Sequence, residues 1–252
     1  MPASAFIRSS GLALLLATFS VLAFEPEVGQ AGKDVVWVPT PQALVDKMLD
    51  MAKVTPKDYV IDLGSGDGRT VITAAKRGVR ALGIEYNPDM VELSKANAEK
   101  EGVASRATFV KADLFQTDFS KATVITMFLL PGINLKLRPK ILGLKPGTRI
   151  VSNSFTMGEW KADETAELGP NEGCNAWCTA LLWIVPARVA GTWTVPQGEL
   201  ALKQEFQMLS GTLRTEGQAL PVKGKVRAEE IVFTAGGREY RGKLNGKQLE
   251  LR

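Results

Sequence analysis

The sequence predicts an α/β domain with a doubly wound, mostly parallel sheet, followed by a small antiparallel all-β module. Three observations lead to this. Five short apolar runs alternate with helix-like segments between residues 59 and 153, as in strands joined by crossover helices. Glycines 64, 66 and 68 directly follow the first of these runs. From residue 191 onward, short alternating runs broken by glycine replace the helix pattern, which is typical of antiparallel hairpins.

The N-terminal stretch is apolar and uncharged over residues 11–24. It is too short for a comfortable membrane span and has the length of the apolar part of a secretory signal. Val21, Leu22 and Ala23 offer small residues at the usual cleavage spacing. We therefore expect a signal peptide over residues 1–23 and an exported protein, either periplasmic or membrane-associated. A retained N-terminal anchor, with the domain on the cytoplasmic face, is the alternative.

The main domain is predicted over residues 36–186, and it begins with a helix over residues 42–52. Apolar residues recur there at helical spacing. Thr40 stands just before Pro41, an arrangement that favours a helix start. Thr40 therefore either caps this helix or lies over the glycine loop that follows.

The glycine loop decides what kind of ligand is expected. Residues 59–63 predict a buried strand and residues 70–76 a helix, and a nucleotide-like ligand meets an α/β sheet at such a junction. A dinucleotide fingerprint needs a third glycine where Arg69 stands, so that ligand is disfavoured. Asp62 closes the strand and can accept hydrogen bonds from the loop amides or from a cationic amino group on the ligand. A glycine turn that only connects strand to helix is the alternative.

Two further acids follow two further strands. Glu85 ends the predicted strand 79–85, about where a carboxylate binds both ribose hydroxyls in a βαβ unit. Asp113 follows the strand 107–111. Helices are expected over residues 87–100 and 134–142, and strands over 124–128, 147–153, 165–168 and 177–185. Because the carboxyl ends of parallel strands meet at one edge of the sheet, we expect Asp62, Glu85 and Asp113 to surround one ligand site.

The composition excludes several kinds of chemistry. The chain has no histidine, which removes Ser-His-Asp hydrolysis, Cys-His proteolysis and histidine-ligated metals. Two cysteines, Cys174 and Cys178, cannot form a four-ligand zinc site, so no metal is expected. They form a disulfide if the chain turns between them and none if it is extended. The net charge of +4 lies in residues 187–252 and is too dispersed to indicate a nucleic-acid partner.

Several motifs together resemble one branch of the class I, seven-β-strand S-adenosylmethionine-dependent methyltransferases. They stand at residues 38–41, 62–69, 113–115, 128–131 with Asn134, and 157–160. The branch is related to the mitochondrial lysine methyltransferases that modify the ATP synthase c subunit and the adenine nucleotide translocase. The resemblance covers about residues 36–185. It implies a Rossmann-like fold, S-adenosyl-L-methionine as methyl donor, and a protein lysine, including that of a membrane protein, as acceptor.

The resemblance also implies which residues bind the cofactor. An aspartate in the position of Asp113 accepts the adenine amino group in this class, with Leu114 and Phe115 beside the ring, and Thr40 would contact the donor's carboxylate. The predicted cofactor-binding set is Thr40, Asp62, Gly64, Ser65, Gly66, Gly68, Glu85, Asp113 and Leu114.

The predicted catalytic residues are Phe128, Asn134 and Trp160. Phe128 would form the wall beside the reacting amine, with the other two behind it. Phe155, Trp160 and Trp37 could present ring faces to an alkylammonium, although core packing explains Phe155 and Trp37 equally well. Related bacterial sequences often have tyrosine in place of Phe128, so any role of that hydroxyl is lost here. Residues 128–131 also lack the polar head found in adenine N6-methyltransferases, which disfavours a nucleobase acceptor.

The C-terminal module, residues 190–252, carries no chemical constellation. Substrate docking, dimerisation and simple stabilisation are the alternatives for it. The eukaryotic relatives lack this extension. A small-molecule methyltransferase with the same cofactor site, and a non-catalytic binding protein on the same fold, remain the alternatives to a protein-lysine enzyme.

Overall fold

The structure, a computed structural model, describes residues 24–246 and 248–251. The predicted signal segment, residues 1–23, lies outside the described residues. Those residues form two seven-stranded sheets, one after the other along the chain. Within this part of the chain no helix has the length and apolar character needed to cross a membrane.

The first sheet is the predicted α/β sheet, with strand order β3-β2-β1-β4-β5-β7-β6. Strands β1 to β5 are parallel, whereas β7 runs antiparallel to β5 and to β6. The strands are β1 (Tyr59–Leu63), β2 (Arg80–Glu85), β3 (Ala107–Lys111), β4 (Val124–Met127), β5 (Arg149–Asn153), β6 (Glu164–Glu167) and β7 (Thr179–Ile184). The fold class predicted from the sequence is confirmed.

Four α-helices cover this sheet: α1 (Gln42–Met51), α2 (Arg69–Lys76), α3 (Pro88–Lys100) and α4 (Pro131–Leu142). The α3 helix begins where the Asn87 side chain accepts a hydrogen bond from the Asp89 amide, with proline in the first turn. The α4 helix begins three residues earlier than predicted, because Pro131 is tolerated at a first helical position. Thr40 does not cap α1, since Pro41 occupies the capping position.

Apolar residues are buried on both faces of the first sheet. All four residues of the central strand β4 are buried, as are four of the five residues of β1. This double burial follows from helices on both faces and explains why these strands are continuous apolar runs in the sequence. The carboxyl ends of β1, β2 and β4 therefore open onto one edge of a rigid core.

The second sheet is an antiparallel meander in chain order, and β14 lies close enough to β8 for the sheet to curl almost into a barrel. Its strands are β8 (Gly191–Val195), β9 (Gly198–Glu205), β10 (Met208–Thr215), β11 (Gln218–Arg227), β12 (Glu230–Ala235), β13 (Arg238–Asn245) and β14 (Gln248–Leu251). Leu200, Leu213 and Ile231 are fully buried inside it. The sequence did not indicate β8.

The two sheets are joined through Phe206, at the turn between β9 and β10. Its ring stacks on that of Trp160, with centroids 6.1 Å apart. The Arg138 guanidinium lies 5.2 Å from the Phe206 ring centroid. The Gln207 side chain donates a hydrogen bond of 2.8 Å to the Lys161 carbonyl. An aromatic contact with a polar rim thus fixes the second sheet to the first.

Candidate active site

A cavity lies at the carboxyl ends of β1, β2 and β4, where the sequence places the three acids. Its walls come from the glycine turn after β1, the ends of β2 and β3, the start of α4, residues 30–40 and the loop before β7. Of the predicted residues, the structure brings Thr40, Asp62, Gly64, Ser65, Gly66, Glu85, Asp113, Leu114 and Phe128 to this cavity. Gly68, Asn134 and Trp160 do not line it.

The glycine turn has a backbone that other residues would strain. Gly64, Gly66 and Gly68 have φ angles of +78°, +53° and +84°, in the left-handed region that favours glycine. A Cβ added to Gly66 would lie 2.5 Å from Nε1 of Trp37. A Cβ on Gly68 would lie 2.7 Å from the ring of Phe109. Gly68 therefore shapes the turn from behind, while Gly64 and Gly66 face the cavity.

Glu85 closes β2 and braces the glycine turn. One carboxylate oxygen accepts a hydrogen bond of 3.0 Å from the Gly66 amide. The other accepts from the amides of Tyr86, at 2.8 Å, and Asn87, at 2.9 Å. A carboxylate has about four acceptor positions, so the oxygen that bonds Gly66 can still accept a hydroxyl proton. Glu85 thus both positions the loop and offers an acceptor to the cavity.

Asp62 is a buried carboxyl group without a cationic partner among the described residues. One of its oxygens accepts a hydrogen bond of 2.6 Å from the Thr126 hydroxyl, rather than from the loop amides. Burial raises the pKa of Asp62 to about 7, the Thr126 bond opposes this, and the carboxylates of Glu85 and Asp67 raise it further. A cation arriving beside Asp62 would favour its ionised form.

Asp113 faces the cavity but is paired with a lysine of the N-terminal segment. The Lys33 ammonium lies 2.7 Å from one oxygen, and the Phe115 amide donates to the other at 2.9 Å. The Lys33 hydrogen bond, with that of the Phe115 amide, lowers the pKa of Asp113. Lys33 also lies 4.8 Å from the ring centroid of Tyr86. An adenine amino group would compete with Lys33 for this carboxylate.

Thr40 is buried at the end of the N-terminal segment. Its hydroxyl accepts a hydrogen bond of 3.3 Å from the Asn153 side chain, and its carbonyl accepts one of 3.0 Å from the Arg69 guanidinium. The helix-cap interpretation of Thr40 is therefore wrong, and Thr40 instead lines the cavity together with Gly64 and Gly66.

Three aromatic rings stand together in the cavity wall. Phe128 lies 5.8 Å from Phe155 and 5.8 Å from Trp177, and Phe155 lies 5.3 Å from Trp177, measured between ring centroids. All three line the cavity. We call Phe128, Phe155 and Trp177 the ring box. The sequence indicated Phe128 and Phe155 but missed Trp177, since only the fold brings the loop before β7 beside β4.

Asn134 and Trp160 stand behind the cavity wall. The buried Asn134 amide donates hydrogen bonds of 3.2 Å to the carbonyls of Phe155 and Thr156, so it holds the loop that carries one ring of the box. Trp160 is fully buried and packs against Trp183 and Phe206. Its predicted place near the reacting amine is not supported, because its ring belongs to the core beneath the second sheet.

The cavity's residues fit a sulfonium nucleoside. Asp62, Glu85 and Asp113 offer acceptors in chain order along the strand ends. Ser65 lines the same cavity, and its buried Oγ lies close to Gly83 of β2, without a hydrogen-bond partner among the described residues. The Leu114 side chain offers an apolar contact beside Asp113. These are the groups that would hold an amino-acid end, a ribose and a purine.

Comparisons with known proteins agree with this geometry. The family model described as the ANTKMT methyltransferase domain matches residues 62–164. A protein-lysine N-methyltransferase of Saccharolobus islandicus is 45% identical over 154 residues, which are 60% of this chain and 94% of that protein. The human lysine N-methyltransferase of the ATP synthase c subunit is 33% identical over 134 residues, and the chain spans 57% of its length.

A solved structure is similar as well. The crystal structure of an RNA methyltransferase from Salinibacter ruber, in complex with S-adenosyl-L-homocysteine, is 46% identical with a TM-score of 0.56. The match covers 60% of this chain and 96% of that one. The resemblance and the cofactor predicted from the motifs are thereby confirmed. The chain belongs to the family of the Saccharolobus enzyme and is an S-adenosylmethionine-dependent methyltransferase.

Proposed function

We propose that this methyltransferase acts on the ε-amino group of a lysine side chain in a protein. The observation that carries the proposal is the ring box, which gives the cavity an uncharged aromatic wall. The names of the Saccharolobus and human relatives support a protein lysine as acceptor.

Methyl transfer to a lysine amine requires few catalytic groups from the protein. S-Adenosylmethionine supplies an electrophilic methyl group when bound. A lysine amine has a reference pKa of about 10.4 and must be neutral to attack. Desolvation among Phe128, Phe155 and Trp177 lowers the pKa of that amine, so no histidine base is needed. When the amine displaces the donor's sulfur at the methyl carbon, S-adenosylhomocysteine would leave as a neutral thioether and the nitrogen would become positively charged. The ring faces would stabilise this charge before a proton leaves to water.

The remaining residues divide between binding and positioning. We assign Asp62 to the donor's ammonium, with Thr40 near its carboxylate, Glu85 to the ribose and Asp113 to the adenine amino group. Asn134 acts through the carbonyl it holds at Phe155. Trp160 receives no part in transfer.

A second candidate, RNA methylation, is raised by the name of the Salinibacter structure. The apolar rim of the cavity disfavours an RNA substrate. The exposed residues Val36, Leu130 and Trp177 line the cavity, at 51%, 43% and 47% exposure. RNA is recognised through basic surface and stacked bases, whereas this rim has an apolar character that suits a polypeptide.

The experiment incubates the full chain and methyl-labelled S-adenosylmethionine with separated protein, RNA and metabolite fractions. Label should appear in methyllysine after the protein fraction is hydrolysed. The Gly66→Val variant should lose transfer because its Cβ has no room against Trp37. Gly132→Ala, with nothing within 4 Å of its added Cβ, is the matched control and should be active.

The other outcomes separate the rivals. Label in RNA nucleosides or in metabolites would contradict the protein acceptor and identify RNA or a small molecule as the substrate. Binding of S-adenosylhomocysteine without transfer to any fraction would indicate a scaffold that has lost catalysis.

We also propose that the protein is exported. The apolar run over residues 11–24 and the Cys174–Cys178 disulfide support this, because disulfides persist in oxidising compartments. Residues 1–30 fused to a reporter that is active only in the periplasm should give signal. The mass of the mature chain distinguishes a cleaved signal from a retained anchor, and a silent fusion would contradict export.

A further inference from the structure

We propose that Trp177, held by the Cys174–Cys178 loop, is a specificity-determining residue that recognises the acceptor's alkylammonium group. This inference rests on the proposed function and adds the residue that selects the acceptor. It also assigns the disulfide the task of positioning that residue. Three features support it: the arrangement of the rings, the backbone that carries them, and the loop that the disulfide closes.

The three rings pack against one another in the cavity wall. Phe128 and Phe155 are stacked, with an interplanar angle of 22°. Trp177 is tilted by 58° to the first and by 48° to the second, so it closes the pair from a third direction. Tilted aromatic walls within about 6 Å of a cation are the arrangement that binds quaternary and methylated ammonium groups.

Two of these rings are held by residues in a strained, left-handed backbone conformation. Trp177 has φ +56° and Ser154, directly before Phe155, has φ +57°. Non-glycine residues rarely adopt this left-handed region, and such residues cluster at binding sites. Trp177 is also 47% exposed, so core packing does not account for its conformation. A large ring held half in solvent, facing a cavity, indicates contact with a ligand.

The disulfide explains how Trp177 is held. It closes a loop of five residues, with Cα atoms 5.7 Å apart. Cys174 is buried, and its amide donates to the Gly169 carbonyl at 3.3 Å. The Cys178 carbonyl accepts from the Leu168 amide at 3.0 Å. Both ends are therefore anchored to the segment that follows β6, and the bridge restricts the directions in which Trp177 can point.

Recognition by ring faces has a specific consequence for the acceptor. A cation is attracted to the faces, and each added methyl group removes a hydrogen-bond donor that the box cannot satisfy. The box should thus prefer a methylated lysine over an unmethylated one. Release of a partly methylated lysine would then be slow, which favours several transfers to one side chain.

The test uses binding, separately from activity. The probe is N-acetyl-trimethyllysine methylamide, compared with a neutral isostere that has carbon in place of the charged nitrogen, both with S-adenosylhomocysteine present. The wild type should bind the cation roughly ten-fold more tightly than the isostere. Trp177→Ala should lose most of this preference, and Trp177→Phe should recover it in part. Met208→Ala, which removes a side chain of similar exposure from the second sheet, is the control and should change nothing.

The loop is tested by the Cys174→Ser/Cys178→Ser double variant. Its preference for the cation should fall between those of the wild type and Trp177→Ala, with unchanged affinity for S-adenosylhomocysteine. Should this variant fail to fold, dithiothreitol opens the bridge of the wild type, giving two thiols as the reagent closes to its own cyclic disulfide. Wild-type preference with the bridge open would overturn the positioning role of the disulfide.

Kinetics separate failure of this inference from failure of the proposed function. Trp177→Ala should raise KM for a lysine acceptor several-fold with a smaller change in kcat and none in KM for the donor. A wild type that methylates lysine, together with a Trp177→Ala variant of equal KM and equal probe affinity, would overturn the inference alone. A wild type that binds the probe but methylates no lysine would overturn the proposed function and leave Trp177 as the ammonium-binding residue.

Discussion

The ionised form of the Asp62 carboxyl group is destabilised in the cofactor-free protein. It is buried, its hydrogen-bond partner is the Thr126 hydroxyl, and its pKa is raised from 3.8 to about 7, chiefly by burial. Replacing it by asparagine keeps an oxygen that can accept from Thr126 and removes the charge. We therefore predict that Asp62→Asn stabilises the cofactor-free fold at alkaline pH while weakening cofactor binding.

The magnitude follows from proton linkage. Each unit of pKa shift corresponds to about 1.4 kcal/mol, so a shift from 3.8 to about 7 destabilises the ionised native state by about 4 kcal/mol. Between pH 3.8 and 7 the native state binds a proton that the unfolded chain does not. The wild type therefore loses free energy of unfolding from this group as pH rises through that window. The asparagine variant has no such loss. The difference in free energy of unfolding between the variant and the wild type therefore changes in favour of the variant by about 3 kcal/mol between about pH 5 and pH 8.

The assay is urea unfolding of both proteins, without cofactor, at pH 5 and pH 8. Calorimetry with S-adenosylmethionine at pH 8 should show much weaker binding to the variant, because the donor's ammonium loses its carboxylate. For the wild type, cofactor binding at pH 6 should release a proton. A stability difference between the two proteins that stays constant with pH, or cofactor binding that the substitution leaves unchanged, would refute the role given to Asp62.

Three further predictions concern the rest of the chain. Asp58→Asn should cost about 3 kcal/mol of stability at pH 7, because Asp58 accepts from Thr123 and pairs with Arg149. Burial alone would raise the pKa of Asp58, but these bonds outweigh it and lower the pKa. In urea unfolding, the stability lost by the variant should therefore shrink as pH falls below 3.8, and an equal loss at about pH 2 would contradict this prediction. Lys33→Met should tighten S-adenosylhomocysteine binding a few-fold in calorimetry, because it frees Asp113; weaker binding would count against the adenine assignment. Phe206→Ala should cost about 2 kcal/mol and split one calorimetric unfolding transition into two; a single unshifted transition would show that the two sheets do not depend on this contact.

The part of the cavity at the ends of β1, β2 and β3 could be predicted because its signals are local. A strand, a glycine turn and an acid at a strand end occupy a few consecutive residues. The parallel sheet then brings Asp62, Glu85 and Asp113 to one edge without further information. The pairing of Asp113 with Lys33 was not predictable, since it depends on the path of the N-terminal segment over the cavity.

The aromatic side of the cavity depends on contacts between distant segments, which explains what was missed. Trp177 reaches the cavity because β7 inserts antiparallel beside β5, and no local pattern indicates this. Trp160 stands in a motif of the family and was expected near the amine. Its ring instead packs against Phe206 of the second sheet, a contact made across two domains. Apolar rings fit a core and a binding site equally well, so residue type alone cannot separate the two.

The most direct test of the account is a crystal structure of the full chain with S-adenosylhomocysteine. We predict that the amino group of the ligand lies beside Asp62, that one of its ribose hydroxyls donates to Glu85, and that its sulfur faces Phe128, Phe155 and Trp177 across a space that holds one amine. A sulfur atom that faces away from these three rings, towards a polar or basic opening, would contradict the lysine acceptor. Adenine bound away from Asp113 would contradict the assignment of the cofactor site.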